Sequence, residues 1–171
     1  MILTINKKGE DEMAKEIKTN AMRFLDKNKI EYKINLYDCD EFVDGVTVAA
    51  KLDQPPEETF KTLVAQGKSG SYYCFLLPVA LELDMKKAAR SVGEKSVELL
   101  HVKDITKVTG YVRGGCTPIG MKKQFMTVVH SSAQELELFY ISGGRIGTQI
   151  QLSPQALVQA IRGKFEDIVL I

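Results

Sequence analysis

Residues 110–120, Gly-Tyr-Val-Arg-Gly-Gly-Cys-Thr-Pro-Ile-Gly, constrain the fold of this chain more than any other stretch. With four glycines and one proline in eleven residues, the segment can be neither an ordinary helix nor a plain strand. We predict a rigid loop that presents backbone N–H groups, from Gly114, Gly115 and Cys116, to a phosphate or a developing oxyanion. A tight structural turn between two elements is an equally open interpretation, because glycine and proline mark most turns.

The composition is that of an ordinary globular protein with one domain. Hydrophobic residues make up 44% and charged residues 26% of the 171 positions, which is enough for one well-buried core. No apolar run approaches the roughly 20 residues of a membrane span, and the first residues lack the pattern of a secretory signal. The three cysteines, Cys39, Cys74 and Cys116, form no Cys-x-x-Cys pair, which argues against a disulfide framework or a structural zinc site. We therefore expect a cytoplasmic protein with no membrane association.

The charge balance limits how the chain can bind nucleic acid. Lys and Arg number 23 against 22 Asp and Glu, whereas proteins that grip a long nucleic-acid backbone are usually far more basic. A nucleic-acid partner would then meet a local patch rather than the whole surface. The candidate basic residues, each also typical of a solvated face, are Lys86, Lys87, Arg90, Lys95, Arg113, Lys122 and Lys123.

Hydrophobic periodicity predicts helices interspersed among five or more strands, which is typical of one α/β domain with a mixed sheet. Ser153 at the N-cap and Pro154 at the first helical position are a specific start signal for the last helix, and Asp104 is predicted to cap a turn over residues 105–108. We expect the folded domain to cover residues 13–171, and residues 1–12 to be a poorly ordered leader or extension. The predicted helices cover residues 15–29, 46–52, 84–92 and 153–162, and the predicted strands cover residues 31–37, 60–65, 72–77, 97–102, 126–130, 138–142 and 147–152, with a short strand or tail at 165–170.

Lys61 is the most informative single residue. Phe60 and the apolar residues 63–64 flank it, and a lysine in such a setting is costly to bury unless it meets an anion. A desolvated ammonium can bind a phosphate or carboxylate, or stabilise charge that develops on a carbonyl oxygen. The alternative is a strand lysine whose stem packs while its head reaches water.

Other candidates for chemistry are fewer. Ser142 ends a strand at a glycine pair and could bind substrate, but Tyr140 replaces the first glycine of a Gly-x-Ser-x-Gly elbow. Cys116 could be a reactive thiol or a small packed side chain, and His101 and His130 fit structural positions better than that of a catalytic base. The sequence lacks the residues of a metal site, a P-loop or a dinucleotide-binding motif, so we expect no cofactor.

Three motifs stand in register along the chain: residues 60–64 (Phe-Lys-Thr-Leu-Val), residues 110–120, and residues 142–154 (Ser-Gly-Gly-Arg-Ile-Gly-Thr-Gln-Ile-Gln-Leu-Ser-Pro). Together they resemble the YbaK branch of the YbaK/ProX aminoacyl-tRNA deacylases, and the resemblance covers residues 15–170. It implies a single α/β domain with a mixed, curved β-sheet of about six or seven strands surrounded by helices. It also implies a trans-editing hydrolase that deacylates mischarged aminoacyl-tRNA, mainly Cys-tRNA(Pro) and also Cys-tRNA(Cys), without a metal or other cofactor.

By that resemblance the catalytic residues are Lys61, Gly114 and Gly115. The lysine would bind anionic or carbonyl groups of the substrate near the tRNA 3′ end, and the glycines would supply backbone contacts and the oxyanion site. No protein nucleophile is expected, since the substrate's own thiol or a bound water can attack the carbonyl. The implied partners are the 3′ end of aminoacyl-tRNA, with stacking on Tyr37 or Tyr111, and prolyl-tRNA synthetase. The implied substrate-binding residues are Tyr37, Thr62, Cys116, Pro118, Ser142, Gly143 and Gln149.

The amino-acid preference stays open at one position. Gln149 stands where some relatives carry an acidic residue, and an amide cannot supply the same charge. One alternative is the editing of another small amino acid, such as that of Ala-tRNA(Pro), because one methylene is worth only about 1–3 kcal/mol of selectivity. The other alternative is a non-catalytic module that binds tRNA ends or a synthetase.

Overall fold

The computed structural model describes residues 18–38 and 43–171, together with the backbone of residues 3–5. Within these residues the chain forms nine strands, with five α-helices interspersed among them. The helices are α1 (Asn20–Lys27), α2 (Gly45–Lys51), α3 (Met85–Ser91), α4 (Val102–Thr109) and α5 (Pro154–Ile161), with a 3-10 helix at Ser131–Glu135. The strands are β1 (Leu3–Ile5), β2 (Tyr32–Leu36), β3 (Phe60–Gly67), β4 (Tyr72–Pro78), β5 (Val97–Leu99), β6 (Met126–His130), β7 (Phe139–Arg145), β8 (Thr148–Leu152) and β9 (Lys164–Glu166).

The strands form two sheets. The first has the order β1-β2-β8-β7 and is antiparallel throughout. The second has the order β5-β3-β4-β6-β9, in which β5, β3 and β4 are antiparallel and β4, β6 and β9 are parallel. The sheets meet where β3 begins, because Thr59 bridges Tyr140 of β7 and the Tyr140 N–H donates to the Glu58 carbonyl at 2.9 Å.

The α/β class with mixed strand directions, predicted from the sequence, is confirmed. The strands are divided between two sheets instead of one, and they number nine because three-residue strands (β1, β5 and β9) extend the sheets at their edges. Two of these short strands overlap the predicted segments 97–102 and 165–170 but are shorter than those segments, whereas β1 lies in the residues predicted to be an extension. Strands β3 and β4, both predicted from the sequence, form a hairpin with seven antiparallel residue pairs, from Phe60 opposite Pro78 to Gln66 opposite Tyr72.

One local prediction is wrong, and another concerns residues that lie mostly outside the described part of the chain. Asp104 does not cap a turn: it lies within the first turn of α4, and His101 occupies the N-cap position without a side-chain hydrogen bond. The sequence pattern predicts that the preceding strand runs to residue 102, which would make the helix begin later. The strand β5 in fact ends at Leu99, so α4 begins already at Val102. The proposed extension over residues 1–12 lies mostly outside the described residues, although Leu3–Ile5 pair with β2.

Side-chain caps fix where the helices begin. Ser153 Oγ accepts the Ala156 N–H at 3.2 Å and Pro154 occupies the first turn of α5, as the sequence predicted. At α1, Thr19 Oγ1 accepts the Met22 N–H at 3.2 Å and donates to the Gly143 carbonyl at 2.5 Å. The cap of α1 therefore also ties this helix to β7.

The buried side chains form two clusters. One is formed by side chains of both sheets together with α1 and α5, and the other lies between the five-stranded sheet and α3. Phe60 and Phe139 join the sheets through an edge contact with 5.1 Å between ring centroids. Among the described residues, no helix combines the length and the apolar character needed to cross a membrane.

Candidate active site

A cavity of about 510 Å³ lies where the beginning of β3 meets the glycine-rich loop. The edge of β3 forms one side of it, because β5 pairs only with residues 65–67 and, among the described strands, none pairs with residues 60–63 on that side. Helices α2 and α4 and the strands β7 and β8 supply the other walls. A cavity of this size is within the usual range for small-molecule sites.

Seven of the ten site residues predicted from the sequence line this cavity. They come from four separate parts of the chain, which the fold brings together: Tyr37, Lys61, Thr62, Gly114, Cys116, Ser142 and Gln149. The other three, Gly115, Pro118 and Gly143, are buried but do not line it. The Pro118 carbonyl accepts a hydrogen bond from Gln124 Nε2 at 3.0 Å, and the Gly143 carbonyl accepts that of Thr19.

Lys61 is half-buried in the cavity wall. Its ammonium makes no hydrogen bond or salt bridge with any residue that the structure describes. Burial lowers the pKa of Lys61 below its ordinary value, and the nearby negative charge of Glu82 offsets part of this shift. A partly desolvated cation without a protein partner is suited to an anionic or strongly polarised group of a ligand.

Two of the three backbone donors predicted in the glycine-rich loop remain available, and one does not. The Gly115 N–H donates to the Val112 carbonyl at 2.9 Å, and a Cβ at Gly115 would lie 3.0 Å from Arg145 Cα, so this glycine allows the loop to pack on β7. The N–H groups of Gly114 and Cys116 have no hydrogen-bond partner in the described part of the chain, and both residues line the cavity. Gly114 has φ +86°, a conformation that favours glycine.

Two hydroxyl groups complete the polar wall. Thr62 Oγ1 is buried and has no hydrogen-bond partner in the residues described, so a bound molecule could satisfy it. Ser142 Oγ accepts the Gly144 N–H at 3.3 Å, which fixes the position of the hydroxyl while leaving its proton available.

The residues considered for base stacking or for acid–base catalysis do not all line the cavity. Tyr111 is buried and its hydroxyl donates to the Ile119 carbonyl at 2.7 Å, so the prediction that it could stack on a base is wrong. His130 Nδ1 accepts the Ile168 N–H at 3.4 Å, burial lowers the pKa of His130, and neither His130 nor the exposed His101 lines the cavity. No group of three His, Cys, Asp or Glu side chains suited to a metal ion occurs within residues 18–38 and 43–171.

Sequence reasoning missed part of the lining. Arg113, predicted only as one of several candidate basic contacts to nucleic acid, lies in the cavity wall, and its place within the glycine-rich loop is the signal that assigns it there. Val46, Leu99 and Val102 line the cavity although each is 45–54% exposed, so they form an apolar rim at its mouth. No local pattern predicts this rim, because the three residues come from α2, β5 and α4.

Cys116 is predicted to be dispensable for chemistry. Burial raises the pKa of its thiol to about 11, so roughly one molecule in 10,000 carries the thiolate at pH 7. We expect Cys116→Ala to keep the catalytic rate within about threefold of the parent, because the backbone N–H of this residue remains. Steady-state assays and the rate of iodoacetamide labelling would check this, and a tenfold loss of rate at unchanged thermal stability would show that the thiol takes part.

Comparisons with known proteins agree with this geometry. Residues 43–160 match the family described as the aminoacyl-tRNA editing domain. Over 152 residues the chain is 41% identical to an Enterococcus faecalis protein provisionally named Cys-tRNA(Pro)/Cys-tRNA(Cys) deacylase EbsC, covering 88% of this chain and 93% of that relative. Two solved structures share the fold: hypothetical protein APE2540 (TM-score 0.80, 21% identity, 89% of this chain and 100% of that chain) and a protein described provisionally as a trans-editing enzyme for prolyl-tRNA synthetase (TM-score 0.77, 18% identity, 89% and 96%). The resemblance noted in the sequence is thus confirmed, and this chain belongs to the aminoacyl-tRNA editing domain family.

Proposed function

We propose that the protein is a trans-editing aminoacyl-tRNA deacylase whose preferred substrate is Cys-tRNA(Pro), with Cys-tRNA(Cys) as a second substrate. The observation that carries this proposal is the meeting, in one cavity, of a half-buried ammonium and two backbone N–H groups that have no partner among the described residues. Membership of the editing family supports the reaction class, and the name of the Enterococcus relative supports the substrate.

The reaction is the hydrolysis of the ester between the amino acid and the terminal ribose. When an oxygen of water or the substrate's own sulfur attacks the ester carbonyl, negative charge develops on the carbonyl oxygen. The N–H groups of Gly114 and Cys116 and the ammonium of Lys61 are the groups available to stabilise that charge. The C–O bond to the ribose then breaks, and the proton given up by the attacking water or thiol goes to the ribose oxygen, which leaves as the hydroxyl. Attack by water gives the free amino acid directly, whereas attack by the sulfur gives a cyclic thioester that a water then hydrolyses.

The mouth of the cavity suits the single-stranded end of a tRNA. Val46, Leu99 and Val102 offer an apolar rim on which a ribose or base can rest, and Arg113 also lines the cavity. A short single-stranded end needs few phosphate contacts, in keeping with a net charge of +1. The relative's name includes tRNA(Pro), which prolyl-tRNA synthetase charges. We therefore expect this synthetase as a partner and the cytoplasm as the place of action.

The test is deacylation of Cys-tRNA(Pro), Ala-tRNA(Pro) and Pro-tRNA(Pro) by the purified protein in the presence of a chelator. We expect rapid hydrolysis of Cys-tRNA(Pro) and little of the other two. Faster hydrolysis of Ala-tRNA(Pro) would replace the assigned substrate with the alternative one. Binding of all three without hydrolysis would contradict the enzyme and favour a module that only binds tRNA ends.

A further inference from the structure

Gln149 lies in the middle of a row of polar side chains that crosses three strands. Asn35 of β2 is opposite Gln149 of β8, and Gln149 is opposite Ser142 of β7, so the three side chains share one face of the sheet. Asn35 and Gln149 are only 7% and 4% exposed. Ser142 and Gln149 line the cavity, and the row therefore forms part of its wall.

Gln54, which follows α2, pairs with Gln149 from outside this sheet. Gln54 Nε2 donates to Gln149 Oε1 at 2.7 Å, and Gln149 Nε2 donates back to Gln54 Oε1 at 2.8 Å. Asn35 Nδ2 donates to the same Gln149 oxygen at 3.1 Å. The backbone N–H of Gln54 donates to the Ala49 carbonyl at 2.9 Å and holds this residue against α2.

These bonds leave the Gln149 side chain able to donate a further hydrogen bond but not to accept one. A carboxamide oxygen accepts two hydrogen bonds and its nitrogen donates two. Asn35 and Gln54 fill both acceptor positions of Gln149 Oε1, while Gln54 uses one of the two N–H groups. Within the described part of the chain the second N–H of Gln149 has no partner, so a bound molecule can use it but finds no free acceptor there.

We propose that Gln54 is a positioning residue that fixes the Gln149 amide as a donor toward the substrate and thereby determines amino-acid selectivity. A fixed donor favours an aminoacyl group whose side chain can accept a hydrogen bond, such as the sulfur of cysteine, over the methyl group of alanine. The inference rests on the proposed deacylase function and deepens it.

The pairing also accounts for a glutamine at position 149. A carboxylate at this position could accept from Asn35 and Gln54, but it has no N–H to donate to Gln54 Oε1. It would also present an acceptor and a negative charge to the cavity, the reverse of what the amide presents. The amide is therefore the side chain that both fits Gln54 and offers a donor.

The experiment compares kcat/KM for Cys-tRNA(Pro) and Ala-tRNA(Pro) in Gln54→Met, in Gln149→Met and in the double variant. Met keeps the length of the side chain and removes its hydrogen bonds. We expect the ratio of the two constants to fall up to about tenfold in Gln54→Met, as loss of one oriented hydrogen bond allows. If Gln54 acts through Gln149, the double variant has the same ratio as Gln149→Met, whereas two independent effects would multiply.

Two further variants separate this role from a structural one. Gln155→Met changes an exposed glutamine of α5 away from the cavity and should leave the ratio unchanged. Gln54→Glu keeps the acceptor for Gln149 Nε2 but loses the donor to Gln149 Oε1, so its ratio should lie between those of the parent and of Gln54→Met. The same comparison with the parent serves if Gln54→Met does not fold.

Each outcome has one meaning. A parental ratio in an active Gln54→Met variant, a double variant whose effects multiply, or equal losses in Gln54→Met and Gln54→Glu would overturn the inference while leaving the deacylase function in place. Failure of the parent protein to hydrolyse any of the esters would instead overturn the function on which the inference rests.

Discussion

Replacing Lys61 by alanine is expected to lower kcat/KM for deacylation by about 10²–10³-fold while the protein stays folded. The ammonium is the one positive charge we assign to the developing oxyanion, and it acts in a partly desolvated wall where electrostatic interactions are stronger than in water. Because Lys61 has no hydrogen bond or ion pair within the described residues, its removal leaves no protein group without a partner.

The lowered pKa of Lys61 predicts how the stability and the activity of the protein depend on pH. Burial holds the pKa of folded Lys61 below the ordinary 10.5, so the unfolded chain binds this proton more tightly. The charged side chain therefore reduces stability at neutral pH, and this loss disappears as pH rises from the lowered pKa toward 10.5. Lys61→Met should be at least as stable as the parent at pH 7.

Deacylation by the parent, corrected for spontaneous hydrolysis, should fall as pH rises through the lowered pKa.

A matched control makes the Lys61 result specific. Lys33 also lies on a strand but is exposed and does not line the cavity, so Lys33→Ala should keep parental activity. Initial rates with Cys-tRNA(Pro) and thermal unfolding would be measured for both variants. Parental turnover by Lys61→Ala would remove the role assigned to this side chain.

Much of the site could be predicted because its signals are local. A lysine among apolar strand residues and a segment with four glycines in eleven positions both point to special surroundings, and both line the same cavity. The start of α5 was readable for the same reason, since Ser153 and Pro154 cap the helix within one turn.

What could not be predicted depends on contacts between distant residues. Gln54 and Gln149 are 95 residues apart, and neither has a local pattern that marks it as a partner. The N–H of Gly115 is used within a turn, which composition cannot distinguish from a neighbouring N–H that remains available. Likewise Tyr111 looked suited to stacking, but the fold directs its hydroxyl to Ile119 in the interior.

Gly120→Ala is expected to cause the largest loss of stability among the glycine substitutions in the loop. Gly120 has φ +69°, and an added Cβ would lie 2.6 Å from the carbonyl carbon of Asn20 and 2.7 Å from the Ala21 nitrogen. These are backbone atoms at the start of α1, whose cap residue Thr19 is also bonded to Gly143 of β7. The loop or the helix must therefore shift. Strain from the positive φ and overpacking together should destabilise the protein by about 3 kcal/mol, or about 6–12 °C in Tm.

Gly93→Ala separates the two contributions to this loss. Gly93 has a similar φ of +72°, but nothing lies within 4 Å of an added Cβ. This variant should lose only about 1 kcal/mol, or about 2–4 °C in Tm, because it carries the conformational strain without the clash. Equal shifts in the two variants, measured by thermal unfolding, would show that the loop does not press on α1. If the larger shift is found, Gly120→Ala should also deacylate more slowly well below its Tm, because a loop displaced from α1 moves the N–H groups of Gly114 and Cys116 away from the ester.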